Sequence, residues 1–480
     1  MSIARALGNA LTGLTATARG TETVAANLAN ASTPGYARRD LAVSAQTAGG
    51  NAGGVRIDGV TRAVNASILS ESRLAEAARA ETATRLAFAT AIEGAVGIAG
   101  NPGSLGAALS DFRTALGSAA SRPDDDIRLT QAVDKARALA RHLNAASDGV
   151  QAARATADQA IAADVATLNA SLAQVVDLNR RIAILEADGS DPSSLHDQRQ
   201  GIIDAIARIV PVQEVSRPAG AVALFTAEGA VLLDGTVPTE LSFAAAGPIT
   251  AGQTAGAPLA RLTQNGADLS PAQMRLYGGG RLAANFAIRD DLAPQTQALL
   301  DDVALDLHDR LTDPTLPVGA AGLFTDAGLP ATPAGRTGLA GRIGVNSGVV
   351  ASEGGEAWRL RAGLGAAAPG AVGDSSRIMA LSAALEDTRP APAGTGLAGN
   401  ATLAERLGWL ESRLSTQRVN AQSEAAVRNG RAETIASRFL ADGVDSDAEM
   451  QRLLHYEQAY AANARVIQAI QAMMDQILEI

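Results

Sequence analysis

Few residues in this sequence have the type and spacing that catalysis requires, and the most suggestive of them form a glycine motif. The segment Gly394 to Gly399 reads GTGLAG, which satisfies the glycine spacing of a dinucleotide-binding turn. That turn needs a strand before it and a helix opening at its third glycine, so that the helix N-terminus faces the pyrophosphate. The residues PAPA precede the motif here. We therefore interpret the segment as a flexible linker.

Metal and phosphate chemistry have weaker candidates. The four histidines lie far apart, with no pair at the four-residue spacing around a glutamate that a zinc hydrolase uses; they are His142, His196, His308 and His455. The only lysine, Lys135, lacks the preceding glycine of a phosphate-binding loop. The absence of cysteine removes thiolate ligands and thiol nucleophiles.

The remaining acidic cluster is better explained by helix geometry than by metal binding. Asp124, Asp125 and Asp126 precede a helix expected from Ile127, and negative charge stabilises a helix N-terminus. The sequence also lacks the Gly-x-Ser-x-Gly turn of serine hydrolases. We predict no catalytic, cofactor-binding or metal site, and we predict that the protein is not an enzyme.

Composition describes the elements that remain. The chain has 480 residues, of which 47% are hydrophobic but only 3% aromatic, so it favours Ala- and Leu-rich helices in roughly two to four domains. A net charge of -10 without a basic block is unsuited to nucleic acid. No uninterrupted apolar run reaches the ~18 residues of a membrane span. The N-terminus lacks the features of a cleaved signal peptide, which taken alone indicates a cytoplasmic protein.

A narrow stripe of apolar and small residues runs along the N-terminal segment. The spacing alternates between four and three, which is typical of one seam of a coiled coil. The stripe consists of Ile3, Leu7, Ala10, Leu14, Thr17, Thr21, Val24 and Leu28. Its small and polar members predict a helix that is not stable alone. Asn30, Pro34 and Gly35 are expected to end it, because proline disfavours helix in the residue before it.

The C-terminal segment carries a second, more apolar stripe. Its members are Leu453, Tyr456, Tyr460, Asn463, Ile467, Ile470, Met474 and Ile477. The residues Ser446 and Glu449 have the spacing of a capping box that would open this helix. Both ends of the chain are therefore predicted to be seam-forming helices of similar length, about four heptads each.

Two interpretations of these ends are open. Chain ends fray unless another element holds them, so the stripes could simply close an intramolecular helical hairpin. Spacing alone favours that interpretation. Alternatively, the helices pair with each other and then pack against copies of the chain in an assembly, which the residue pattern around the stripes favours.

That pattern is a family resemblance. The segment VAANLANASTPGYARRD, from Val24 to Asp40, resembles the N-terminal signature of flagellar rod, hook and hook-associated proteins. The matching residues are Asn27, Leu28, Ala29, Asn30, Thr33, Pro34, Gly35, Tyr36 and Arg38. Ala26 departs from the family, which often has a second Asn there. The segment EMQRLLHYEQAYAANARVIQAIQAMMDQIL resembles the C-terminal helix of the same proteins.

Two interior segments resemble one branch of that family, the hook-associated protein 1 family. The first is SLHDQRQGIIDAIARIVPVQEV, from Ser194 to Val215, where a helix gives way to a β region. The second is the return helix from Gly278 to Leu311. The resemblance is weak across 220–275 and 312–400.

The resemblance implies a structural adaptor that joins the flagellar hook to the filament and is needed for filament assembly. Implied partners are a ring-like layer of its own copies, the hook protein, the second junction protein and an export chaperone on the C-terminal helix, without cofactor, nucleic acid or membrane insertion. It also implies an extracellular location after type III export, without a cleaved signal. The residues expected to carry assembly are Ile3, Leu7, Leu14, Val24, Asn27, Leu28, Asn30, Pro34, Gly35, Tyr36, Leu453, Tyr456, Tyr460, Ile467, Ile470, Met474 and Ile477.

The predicted fold class is mainly α with inserted β modules, in a nested multi-domain axial protein whose coiled-coil-like ends pair. Helices are predicted at 127–187, 197–209, 281–311 and 402–440. The predicted division is a terminal assembly domain (1–40 with 441–480), a helical mixed domain (41–211 with 278–440, including a Gly/Pro-rich irregular insert at 312–400) and a small outer β domain (212–277).

Two alternatives to this function stay open. The nearer is another flagellar axial protein, the hook protein or the second junction protein, which shares the end helices. The farther is a helical scaffold or an enzyme without a recognised motif. A purified monomer with both ends fully structured would favour the farther class.

Overall fold

The computed structural model describes residues 3–33, 35–48, 51–256, 258–317 and 319–478. Its helices are α1 (Ile3–Ala29), α2 (Ala66–Val96), α3 (Leu105–Ser121), α4 (Asp126–Ala187), α5 (Ser193–Ile209), α6 (Pro271–Met274), α7 (Gly280–Ala287), α8 (Ala293–Arg310), α9 (Arg359–Ala362), α10 (Ser376–Glu386), α11 (Leu403–Ala441) and α12 (Ser446–Leu478). A π-helical turn, Ile288–Leu292, joins α7 to α8.

The strands are short apart from one hairpin. They are β1 (Arg39–Ala48), β2 (Asn51–Arg62), β3 (Val212–Ser216), β4 (Val222–Thr226), β5 (Val231–Leu233), β6 (Leu241–Ser242), β7 (Thr254–Ala255), β8 (Pro258–Leu259), β9 (Thr263–Gln264), β10 (Ala267–Asp268), β11 (Phe324–Asp326), β12 (Ile343–Val345), β13 (Arg389–Pro390) and β14 (Asn400–Ala401). The predicted class, mainly α with inserted β modules and long terminal helices, is confirmed.

The terminal helices and one hairpin form a terminal unit. Strands β1 and β2 pair antiparallel from Arg39 with Arg62 to Ala48 with Asn51, with two register shifts. The hairpin packs against α1, and α1 packs against α12. Helix α1 lies where the apolar spacing predicts a helix, whereas this hairpin was not predicted from the sequence.

Helices α2 and α11 lead away from the terminal unit as an antiparallel pair. The amide of Asn65 contacts Asp442 at one end, at 3.4 Å, and Glu93 accepts a hydrogen bond from Ser415 at the other, at 2.7 Å. Between these ends a small apolar cluster joins Ala75 to Ala432 and Ile435. The pair is therefore a continuous connection between the terminal unit and the rest of the chain.

Helix α4 is long enough to serve two separate hydrophobic cores. Its first half packs with α3, α8, α10 and the start of α11 in the first core, and its second half packs with α5, α7 and strands β3 to β5 in the second core. On its second half, Ile161, Val165, Leu168, Leu172, Val175 and Ile182 are buried, while Leu185 is partly buried. By length and composition alone α4 could cross a membrane. These buried residues, however, pack against other elements of the same chain.

The segment between α8 and α11 was predicted to be irregular, but it contains the 11-residue helix α10 among its turns and short strands, and it contributes to the first core. Leu323, Phe324, Leu339, Ile343 and Leu360 are at most 2% exposed there. The ring of Phe324 meets that of Phe112 edge to face, with centroids 6.1 Å apart. This Gly/Pro-rich stretch is therefore packed structure.

Candidate assembly surface

Helices α1 and α12 form an antiparallel pair that depends on small residues. Contacts run from Gly13 beside Asn463, through Gly20 beside Tyr456, to Asn27 bonded to Glu449. A Cβ atom at position 20 would lie 2.5 Å from the Tyr456 ring, and one at position 13 would lie 3.0 Å from the Asn463 amide. The two backbones can approach this closely only because these positions have no side chain.

We predict that Gly20→Ala and Gly8→Ala have opposite effects on the stability of this pair. Position 8 is on the same helix with open space around it, so alanine should stabilise α1 by up to ~1 kcal/mol through helix propensity. At position 20 the new methyl group must displace the Tyr456 ring, and overpacking costs typically ~1–3 kcal/mol. Urea unfolding followed by circular dichroism measures both. Equal effects of the two substitutions would contradict the close contact, and Tyr456→Ala should relieve the cost at position 20.

Asn27 is the hydrogen-bonding centre of the terminal unit. Its side chain is fully buried, and its amide nitrogen donates to the carbonyl of Arg39 at 2.8 Å and to a Glu449 carboxylate oxygen at 3.0 Å. Its oxygen accepts hydrogen bonds from the Tyr36 hydroxyl and the Arg39 amide, both at 2.9 Å. One side chain thereby joins the end of α1, the start of β1 and the first turn of α12.

Glu449 has a different role from the one predicted. Its side chain is buried, with Arg452 donating to it at 2.9 Å as well as to Asp40. The cap of α12 is instead Asp445, whose carboxylate accepts from the amides of Asp447 and Ala448. The capping box of Ser446 and Glu449 was therefore wrong, because tertiary pairing with α1 takes the Glu449 side chain.

The signature loop after α1 is attached to α5. Asp197 accepts hydrogen bonds from the Ala37 amide and from the side chains of Arg39 and Arg62. Gly35 has φ +81°, a left-handed conformation that favours glycine, and the Arg39 guanidinium lies 5.0 Å from the Tyr36 ring centre. The interior motif that contains Asp197 therefore holds the terminal unit against the body of the chain.

The predicted assembly residues occupy three kinds of environment. Val24, Asn27 and Ile470 are buried. Half-buried positions are Ile3, Leu7, Leu14, Asn30, Gly35, Tyr36, Leu453, Tyr456 and Ile467. Exposed positions are Leu28, Tyr460, Met474 and Ile477, and Pro34 lies outside the described residues.

The predicted stripe does not include all of the buried residues of α1. Ala16 and Gly20 of α1 are buried although neither belongs to the predicted stripe, because α1 contacts the hairpin as well as α12. The spacing of small residues at Gly13, Ala16 and Gly20 would have indicated a close helix contact, as small residues do where backbones approach.

The terminal pair leaves many apolar side chains in solvent. On α12 the exposed fractions range from 41% to 60% for Met450, Leu454, Tyr460, Val466, Met473, Met474 and Ile477, and Leu11 of α1 is 56% exposed. Exposed apolar side chains gathered on one pair of helices are candidates for protein–protein contact. We define these eight residues as the outer apolar surface of the terminal pair.

The residues first considered for chemistry are dispersed. The GTGLAG segment is a loop before β14 in which the Gly396 amide donates to Asp302 at 2.7 Å, so it is anchored and does not open a helix. Burial and the neighbouring Arg199 and Arg62 lower the pKa of His196 to about 4. Within the described ranges, no three His, Asp or Glu side chains are grouped as metal ligands.

Three flagellar family models match separate parts of the chain. Residues 90–313 match the family model of the flagellar hook-associated protein FlgK helical domain. Residues 7–36 match the flagella basal body rod protein family, and residues 440–480 match the C-terminal family of the flagellar basal body rod FlgEFG proteins. The middle of the chain is therefore similar to flagellar hook-associated protein FlgK, and its two ends are similar to rod-type flagellar proteins.

Its similarity to individual members is distant. It is 26% identical over 310 residues to flagellar hook-associated protein 1 of Salmonella typhimurium, covering 63% of this chain and 55% of that protein. The protein of the same name from Bacillus subtilis is 26% identical over 224 residues, or 44% of each chain. The chain thus spans about half the length of these curated relatives.

A solved structure also matches part of the chain. The flagellar hook junction protein FlgK from Burkholderia pseudomallei superposes with a TM-score of 0.44 at 20% identity, covering 53% of this chain and 46% of that one.

Proposed function

We propose that this protein is a structural adaptor at the junction between the flagellar hook and filament. The observation that carries the proposal is the terminal pair itself: two end helices joined by buried polar bonds, with an outer apolar surface left in solvent. The similarity of residues 90–313 and of both ends to flagellar proteins supports the same function.

The contact between α1 and α12 buries only part of the apolar residues of these two helices. An intramolecular hairpin satisfies the inner side of the pair, where Val24 and Ile470 are at most 4% exposed. It leaves Ile477 and Leu454 more than half exposed. Burying apolar surface stabilises association by roughly 25 cal/mol per Å² before ordering costs. Contact between this surface and neighbouring subunits is therefore energetically favourable.

The proposed neighbours are other copies of the chain in a ring-like layer, the hook protein below it and the second junction protein above it. The proposed location is the extracellular part of the flagellum, reached through the flagellar type III export apparatus. The small residues of the α1–α12 contact suit a pair that separates for transit and re-forms on arrival, with ordering coupled to binding. The free α12 would expose an amphipathic face to an export chaperone.

Deletion of the gene in its host tests this function. The expected result is cells with hooks but without filaments, and flagellin released into the medium. Restoration by the intact gene is the control. Normal filaments on the deletion strain would overturn the proposal.

The same experiment separates the nearest alternative. The rod-type families that match at both ends are compatible with another axial protein, such as the hook protein. Missing hooks in the deletion strain would favour a hook or rod component.

A further inference from the structure

Three charged side chains are buried where α4 passes from the first core to the second. Val150 of α4 belongs to the first core and Ile161 to the second. Between them, Arg154 and Asp158 are at most 1% exposed, and so is Arg289 of the neighbouring π-helical turn. Burying charge is costly unless its hydrogen bonds are satisfied, so the partners of these side chains explain why they lie there.

Arg154 completes the backbone hydrogen bonding of the π-helical turn. In such a turn each carbonyl pairs with the amide five residues later, as the carbonyl of Ile288 does with the Ala293 amide. The corresponding position for Arg289 is Pro294, which has no amide hydrogen. The carbonyl oxygen of Arg289 instead accepts from Nε of Arg154 at 3.0 Å. The buried arginine therefore replaces a donor that the helix lacks.

The same arginine also holds a loop that belongs to the strands of the second core. We define residues 244–253, which join β6 to β7, as the strap. The Nη atoms of Arg154 donate to the strap carbonyls of Thr250 and Gln253 at 3.0 and 2.8 Å. One buried guanidinium thus bonds the π-helical turn and the strap at the same time.

Further contacts extend the strap across the boundary between the cores. The Ala246 amide donates to Asp158 at 2.6 Å, and the side chain of Ile249 is buried. A Cβ atom at Gly338 would lie 3.2 Å from that of Ala251, so the strap lies against the irregular segment of the first core. The strap therefore begins at the second core and ends in contact with the first.

The strap has the features of a segment that opens before the cores it covers. Ile249 is the one buried residue among its described positions, and segments with few buried apolar contacts open at lower free energies than packed cores. Opening also returns Arg154 and Asp158 to water, which recovers part of the cost of burying their charges. Arg154 gains most, since its partners among the described residues are neutral oxygens.

We propose that the strap is a conformational latch between the two cores. When it is closed, it fixes the angle between them through Arg154 and Asp158. When it is open, the cores can change their relative angle about α4 and the π-helical turn. The latch goes beyond the proposed junction function and does not depend on it.

Arg154→Met in the full chain tests whether the buried arginine holds the strap. Methionine keeps most of the side-chain length but has no N–H donor. The amides of Ala246 and Gln253 should exchange with solvent at least tenfold faster, because two charge-assisted hydrogen bonds to the strap are lost. The amides of α4 within both cores should keep their protection. Unchanged exchange in the strap would overturn the proposal.

The distance between two spin labels tests whether the strap fixes the cores. The chain has no cysteine, so Val231→Cys in β5 and Met379→Cys in α10, both at exposed positions, place one label on each core. Pulsed electron paramagnetic resonance should give one narrow distance distribution in the labelled chain and a broader one after Arg154→Met. An unchanged distribution despite faster strap exchange would show that the strap is not a latch.

Two more variants complete the experiment. Arg180→Met, at an exposed arginine of the same helix, is the matched control and should change neither measurement. If Arg154→Met loosens both cores or does not fold, Ile249→Asp opens the strap from its own side, because an unpaired carboxylate is disfavoured in that buried position. It should change both measurements in the same direction. Preserved strap protection and an unchanged distance distribution in Ile249→Asp would contradict the latch.

Discussion

Replacing Asn27 with alanine is expected to release the first turns of α12 from the terminal unit. The substitution removes two donated and two accepted hydrogen bonds. It also leaves the buried Glu449 with Arg452 as its remaining partner in that network. A hydrogen bond to a charged group contributes roughly 1.5–3 kcal/mol, and buried polar groups left without a partner add to the loss, so the total is a large share of the stability of a small packing unit.

Amide hydrogen exchange of the full chain measures this effect residue by residue. Amides from 446 to 460 should exchange about a hundredfold faster or more in Asn27→Ala, since roughly 2.7 kcal/mol corresponds to that factor. Asn30→Ala is the matched control from the same motif. The Asn30 side chain is half-buried and donates to Ala26 one turn before it, so its loss should cost below about 1 kcal/mol. Unchanged protection of α12 in Asn27→Ala would show that the apolar contacts alone hold the pair.

Replacing Val466 and Met473 of the outer apolar surface with aspartate is expected to abolish filament assembly without unfolding the terminal pair. Val466 and Met473 are 45% and 46% exposed and lie seven residues apart, on one face of α12. Carboxylates tolerated there in solvent become unpaired charges when a neighbouring subunit covers them. That burial costs several kcal/mol, which makes association weaker by roughly a hundredfold or more.

The assay is restoration of filaments in the deletion strain by Val466→Asp combined with Met473→Asp. The control combines Val237→Asp with Val372→Asp, at positions 77% and 61% exposed away from the terminal pair, and it should restore filaments fully. Ile467→Asp provides a contrast, because Ile467 is half-buried beside α1 and its substitution should disrupt the pair itself. Full restoration of filaments by the variant with Val466→Asp and Met473→Asp would show that assembly does not need the outer apolar surface.

Regular helices were predictable wherever one apolar period repeats over several turns. The helices predicted at 127–187 and 402–440 match α4 and α11 to within one or two residues, and Leu403, Leu407, Leu410 and Leu414 are buried as their spacing requires. Such patterns are local, so a single sequence contains all of the information they need.

Irregular segments were not predictable in the same way. Outside the short helices α9 and α10, the stretch 312–400 has no apolar period, because its buried residues come from turns, short strands and 3₁₀ turns. For example, Leu339 is the first residue of the 3₁₀ turn Leu339–Gly341 and Ile343 follows that turn, and both side chains are buried in the first core. Their burial is decided by α4 and α8, which lie far away in sequence.

The sequence by itself determined the class of elements, the helical character of both ends and, through the signature around Asn27 and Tyr36, the resemblance to flagellar axial proteins. Tertiary structure alone decided what those ends contact. The bond from Asn27 to Glu449 spans 422 residues, and the fit of the Tyr456 ring over Gly20 depends on how closely two helices approach. Helical periodicity identifies which side of a helix is apolar, but packing against β1, β2 and α12 decides which residues of that side are buried and which form the outer apolar surface.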